Sequence, residues 1–170
     1  DGPIWGSSGV AEASYKHHIG LMFGTPLTLT AGQATITLTA ENSNTIEVTA
    51  TDNAGNTTTI QQSYKLDGMG ALLMTYATPA APDGLNGWYK TSPIEVHLIV
   101  DDHEGVGFKS MFYRLNGGAW IEENTPIKVL TLSSGIHVVE FYGVDLLGNT
   151  SITNQHTYKV DGQFPLISTV

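Results

Sequence analysis

Apolar residues along this chain recur at alternate positions, in short runs broken by glycine, proline, asparagine and aspartate. In 93–100, Ile94, Val96, Leu98 and Val100 share one face and Glu95 and His97 the other. A period of two is that of a half-buried strand, because successive side chains leave the backbone on opposite sides. The same reading predicts strands at 11–17, 27–30, 34–38, 45–51, 57–66, 72–76, 127–132, 136–144 and 150–160, with a short one at 119–121. Met111, Tyr113 and Leu115 mark one more, which ends in the turn Asn116-Gly117-Gly118. Residues 1–10 contain no clear strand, and 78–87, with two prolines and two glycines, reads as a loop. The expected fold is all-β and antiparallel, a β-sandwich architecture.

One stretch occurs twice. Asp52-Asn53-Ala54-Gly55-Asn56 and Asp145-Leu146-Leu147-Gly148-Asn149 each follow a strand-forming run, and each leads to Tyr-Lys-Leu/Val-Asp-Gly, at 64–68 and 158–162. Asp accepts from backbone N–H groups a few residues on, and Gly takes the positive φ that side chains resist. Asp52, Gly55, Asn56, Asp145, Gly148 and Asn149 are therefore expected to close two β-hairpins. The copies lie 145 − 52 = 93 positions apart. That spacing predicts two modules, since a sandwich needs about 100 residues. The expected division is a partial module at 1–67, a joint at 68–71, a complete module at 72–161 and a strand-like extension at 162–170.

Superposing the copies lays 9–15 over 107–113 and Thr25-Pro26-Leu27 over Thr125-Pro126-Ile127. The second copy has two further strands ahead of its Gly107, at 72–76 and 94–100, and the first has no room for them. Two accounts follow. In one, neighbours in a longer array supply the missing strands. In the other, Phe164, Leu166, Ile167 and Val170 of one molecule insert beside the first module of the next, building a head-to-tail filament.

Composition narrows the chemistry. The 170 residues carry a formal charge of −9, and Lys and Arg form no cluster. Nucleic acid and anionic membranes are poor partners, because phosphate neutralisation needs a basic patch. Cysteine is absent, which removes disulfides, thiolate metal sites and cysteine nucleophiles. No apolar run approaches the ~20 residues of a membrane span.

Asp101-Asp102-His103-Glu104 is the one dense acidic cluster. Asp101, Asp102 and Glu104 are calcium candidates in principle, but a solvated loop accounts for them with less, and no Asp-x-Asp-x-Asp-Gly spacing is present. No cofactor is expected. His17 and His18 are adjacent and face opposite ways on a strand, so they cannot chelate together. No Gly-x-Ser-x-Gly elbow exists, and Glu122-Glu123 are neighbours rather than a facing pair. No catalytic residues are assigned. Trp88, Tyr89 and Trp120 either stack a sugar ring or plug the ends of the sandwich. Asn56-Thr57-Thr58 and Asn149-Thr150-Ser151 are formal glycosylation sequons, and the turn accounts for both asparagines first.

Residues 82–89 (PDGLNGWY), 93–96 (PIEV), Gly105-Val106, 113–120 (YRLNGGAW), 135–138 (GIHV), 145–149 (DLLGN) and 158–161 (YKVD) together cover most of 71–162. This order and spacing resembles the bacterial Ig-like domains of secreted and cell-surface proteins. The first module shares the pattern only from Gly9 onward and lacks the Trp-Tyr and Asn-Gly-Gly-x-Trp elements. The resemblance implies a non-catalytic spacer, stalk or adhesive segment at the cell surface or beyond it. Its partners would be neighbouring Ig-like modules or copies of itself. The alternative is an accessory module of a larger secreted protein that binds polysaccharide.

Overall fold

The computed structural model describes residues 8–30, 32–39, 41–103 and 105–167. The chain divides into two compact units, Asp1–Gly68 and Met69–Val170. Among the described residues it is all-β, with a single 3-10 turn at Leu85–Gly87.

The second unit is a β-sandwich. Strands β5 (Leu72–Thr78), β7 (Ile94–Asp101) and β10 (Ile127–Leu132) form a three-stranded antiparallel sheet in the order β10-β7-β5. Five more strands form the other sheet: β6 (Trp88–Tyr89), β8 (Phe108–Leu115), β9 (Ile121–Glu123), β11 (Gly135–Asp145) and β12 (Asn154–Val160), in the order β6-β12-β11-β8-β9. The period-two positions face inward as expected. Ile94, Val96, Leu98 and Val100 of β7 are buried against Met111 and Tyr113 of β8 and Val139 and Phe141 of β11. The sheets approach closely at Gly143, where an added Cβ would lie 2.4 Å from Val100 Cγ1. A hydroxyl contact of 3.3 Å between Thr75 and Tyr158 also joins them.

The first unit has the same central elements, and among its described residues there is no opposite sheet. Strands β1 (Val10–Ile19), β2 (Leu27–Thr28), β3 (Asn42–Asp52) and β4 (Thr57–Leu66) form one antiparallel sheet in the order β2-β1-β3-β4. Its registers repeat those of the second unit. Tyr15 pairs with Val48 and Leu27, as Tyr113 pairs with Phe141 and Ile121. The same irregularity also recurs, between Val10 and Glu12 on β1 and between Val144 and Asp145 opposite β8. Strands β1, β3 and β4 thus correspond to β8, β11 and β12, and β2 to β9. Among the described residues of this unit, none takes the place of β5 or β7.

Several sequence expectations change in the structure. Residues 34–38 alternate like a strand but belong to none, because a strand needs a ladder partner. The run 150–160 pairs continuously only from Asn154. A one-residue slip separates the Val144–Thr150 bridge from the Phe141–Asn154 pair, and Gly143 N–H donates to Ser151 Oγ at 2.9 Å between them. Trp88-Tyr89, unforeseen as a strand, pairs in parallel with Lys159-Val160. The superposition of Leu27 on Ile127 also shifts, since the register sets Leu27 over Ile121.

Candidate functional site: two repeated turns and an uncovered groove

The two Asp-x-x-Gly-Asn turns are built alike, atom for atom. Asp52 N–H donates to Asn56 O at 2.9 Å, and Asp145 N–H to Asn149 O at 3.1 Å. One carboxylate oxygen accepts the backbone N–H of the asparagine, at 2.8 Å in the first turn and 2.9 Å in the second. The other accepts its side-chain amide, at 2.9 and 2.7 Å. Gly55 and Gly148 both have φ +91°. Both sequon asparagines therefore spend their amide nitrogen on the turn aspartate.

The environments of the two carboxylates differ. Asp52 is held below the usual carboxylate range by the Asn56 side chain first and the Asn56 backbone next. Asp145 is fully buried. Burial alone would raise it, but Asn149 and the N–H groups of residues 147–149 outweigh that and lower it. A β-branched residue strains at positive φ, so Gly148→Val is expected to cost at least ~1 kcal/mol. Thermal melting checks this, and an unchanged midpoint would contradict the turn geometry.

The proposed stacking aromatics do not form one surface. Tyr89 is buried in the core beside Tyr158, with ring centroids 6.5 Å apart. Burial pushes its hydroxyl pKa up. Trp88 lies on β6 and Trp120 just ahead of β9, at opposite edges of the five-stranded sheet. Trp120 instead meets Tyr142 edge-on at 5.0 Å, and Arg114 lies 4.5 Å from its ring centroid. Phe112 stacks on Tyr142 at 5.0 Å, and Arg114 is bound by Glu140 through two contacts of 2.8 Å. The signal for this group was the outward phase of Phe112 and Arg114, opposite to Met111 and Tyr113.

The acidic loop spends its carboxylates on its own backbone. Asp101 accepts from His103 N–H at 2.9 Å and Asp102 from Gly107 N–H at 2.6 Å, while Glu104 lies outside the described residues. His17 and His18 diverge as expected: His17 meets Asn44 at 2.9 Å, and His18 takes the Gly24 N–H at 3.3 Å.

The sheet of the first unit has two unlike faces. Ser14, Thr28, Thr49, Thr59, Lys16, Glu47 and Gln61 share one, where Glu47 takes Lys16 at 2.6 Å and Gln61 at 2.7 Å. Tyr15, Leu27, Ile46, Val48 and Ile60 share the other. On that apolar side an open groove of about 570 Å³ runs between Tyr15, Ile46 and Val48 and the segment carrying Leu29, Ala34 and Ile36. The second unit buries the equivalent face under β7. Of the suggested donor residues, Phe164, Leu166 and Ile167 are 92, 100 and 91% exposed, and Val170 lies outside the described residues.

No protein-family model and no curated protein matches this chain. Among solved structures it is similar to the fibronectin(III)-like modules of Clostridium thermocellum CbhA, at 10% identity and a TM-score of 0.38, covering 98% of this chain and 87% of that one. It is also similar to a tetra-tandem repeat in the extending region of a large adhesion protein, at 15% identity and a TM-score of 0.40. There the match covers 92% of this chain and 43% of the other. Among the described residues no helix is long and apolar enough to cross a membrane.

Proposed function

We propose that this chain is a non-catalytic structural or adhesive segment working outside the cell, a spacer, stalk or fibre subunit built from Ig-like modules. The carrying observation is the repeated strand–turn–strand unit, with its register, irregularity and turn hydrogen bonds reproduced in both copies. Its buried carboxylate and its positive-φ glycines close hairpins, a task of shape rather than turnover. The resemblance of 71–162 to bacterial Ig-like domains supports the extracellular setting. Further modules or copies of the chain are its partners, and neither a metal nor a cofactor is required. A mechanical role makes a direct demand. Pulled from its ends, the second unit should yield in a single event that releases roughly 300 Å of chain. Gradual lengthening without a distinct event would remove the structural reading.

The Trp120–Tyr142–Phe112 group with Arg114 and Glu140 favours one second reading, contact with polysaccharide. A saturable change in tryptophan fluorescence during polysaccharide titration, lost in Trp120→Ala, would establish it. A flat titration would leave those rings as cover for the outer sheet face.

A further inference from the structure

The sheet β10-β7-β5 of the second unit turns an apolar block toward solvent. In a sandwich the outer face of an antiparallel sheet is solvated, and its residues are ordinarily polar. On β7 that holds for Glu95, His97 and Asp101, but Ile99 stands among them. The neighbouring strands place Met74 and Ile127 on either side of Ile99, and Tyr76 and Val129 on either side of His97. Leu72 lies beside Asp101, and the far row, Thr78, Glu95 and Thr131, is polar. The apolar residues thus form one continuous block rather than a scatter.

Leu72, Met74, Tyr76, Ile127 and Val129 are each between 43 and 58% exposed, so no described element covers the block. Together they present roughly 500 Å² of surface, near the top of the range of about 300–600 Å² for the largest apolar patch on a monomer. Two such patches laid face to face remove about 1,000 Å² from water, the size at which a specific interface begins. Sheets pack in this way about 10 Å apart with their strands nearly aligned. A second copy of the same face therefore supplies enough area.

Charge sets the orientation. No Lys or Arg of the three strands shares this face, since Lys128 lies on the opposite phase and is held by Glu123 at 2.7 Å. The acidic and basic side chains lie along β7: His97, with Glu95 3.8 Å away, and Asp101 at the strand end. His97 also stacks on Tyr76, with ring centroids 4.4 Å apart. The row Ile127–Ile99–Met74 lies midway between the row of His97 and that of Asp101. A two-fold axis over that row, running across the strands, sets His97 of one copy over Asp101 of the other and Tyr76 over Leu72. An imidazole N–H then faces a carboxylate, and Glu95 falls outside the overlap, in water. An axis along the strands would instead set Asp101 on Asp101 and Glu95 on Glu95, like charges opposed.

We propose that the outer face of β10-β7-β5 is a self-docking surface, on which a second copy seats the same face, antiparallel about the Ile127–Ile99–Met74 row. Met74 then meets Met74, and His97 donates to Asp101 of the other copy. The contact is isologous, so it closes as a dimer and does not propagate. The proposal rests on the structural reading above and names the surface through which two copies meet.

The test uses the full chain, which has no native cysteine. In sedimentation the intact chain should pass from monomer to dimer, and no further, as concentration rises. A chain with Met74→Glu and Ile127→Glu should stay monomeric, its second unit folded by tryptophan fluorescence and melting. Across sheets about 10 Å apart, a bis-maleimide of that span should link Met74→Cys chains in pairs. Thr78→Cys, on the same strand and face, should lie more than about 25 Å from its counterpart and serves as the control. An intact chain that stays monomeric or grows past the dimer, association that survives both glutamates, or linking at Met74→Cys no better than at Thr78→Cys would each overturn the proposal. The single-event unfolding of the second unit is a property of one molecule and depends on none of these outcomes, so the two readings fail separately.

Discussion

Phe141→Ala is expected to destabilise the second unit by about 3–5 kcal/mol, the range for truncating a fully buried aromatic side chain. Phe141 is 0% exposed and sits at the centre of β11, paired with Tyr113 and packed beneath β7. Close approach of the sheets at Gly143 leaves little freedom to collapse into the void. In a unit of this size each kcal/mol moves the midpoint by roughly 4–8 °C, so melting should fall by more than about 12 °C. Trp88 and Trp120 both belong to the second unit and report the change by fluorescence. Val48 is the internal control, because it meets Tyr15 as Phe141 meets Tyr113. It is only half-buried, and Val48→Ala should cost about 1 kcal/mol or less in dilute, unassociated chain. Equal losses at the two positions would mean that the first unit has a closed core of its own.

This contrast marks where sequence reading succeeds and where it stops. Strand β7 was legible because its four inward residues obey a period of two and nothing competes with it locally. The turns were legible for a similar reason: the hydrogen bonds that each turn aspartate's carboxylate makes with its own turn span four residues or fewer. Residues 34–38 show the limit. Their alternation matches that of β10, but strand character is a property of a pair, and alternation states only half of the pair. Trp88-Tyr89 fails in the opposite sense. Two residues give no periodicity, and their place is set by a parallel pairing with Lys159-Val160, some 70 residues away.

Of the candidate site residues, those defined by local geometry stayed together and those grouped by residue type separated. Trp88, Tyr89 and Trp120 were grouped as aromatics that either stack a sugar or plug the sandwich ends, yet Tyr89 is core and the other two lie at opposite sheet edges. Phe112 and Tyr142 join Trp120 because β8 and β11 are neighbours in register, a fact of topology rather than of sequence spacing. The groove of the first unit could be inferred as a deficit from the missing strands. Its lining became visible only in the structure, where Ala34 and Ile36 border it with Tyr15, Ile46 and Val48.

Asp145→Ala should have the second-largest effect, about 3 kcal/mol, the upper range for losing hydrogen bonds to a charged partner and leaving buried donors unpaired. Asp145 is 0% exposed, and its carboxylate accepts from both the backbone and the side chain of Asn149. Asp52→Ala removes the same bonds from an open turn where water replaces them, and should cost clearly less. The wild-type chain carries the same contribution as a pH dependence. Because the carboxyl is lowered in the folded state, its stabilisation is complete above the ordinary value of 3.8 and is lost as pH falls through the lower folded value. The second unit of the wild type should therefore melt progressively earlier as the pH drops below about 4. Asp145→Ala should start from a lower midpoint at pH 7 and lose less of it on acidification. Parallel melting curves for wild type and variant across that window would show that Asp145 does not carry the acid sensitivity, and that the hydrogen bonds of the turn contribute little to holding the second unit together.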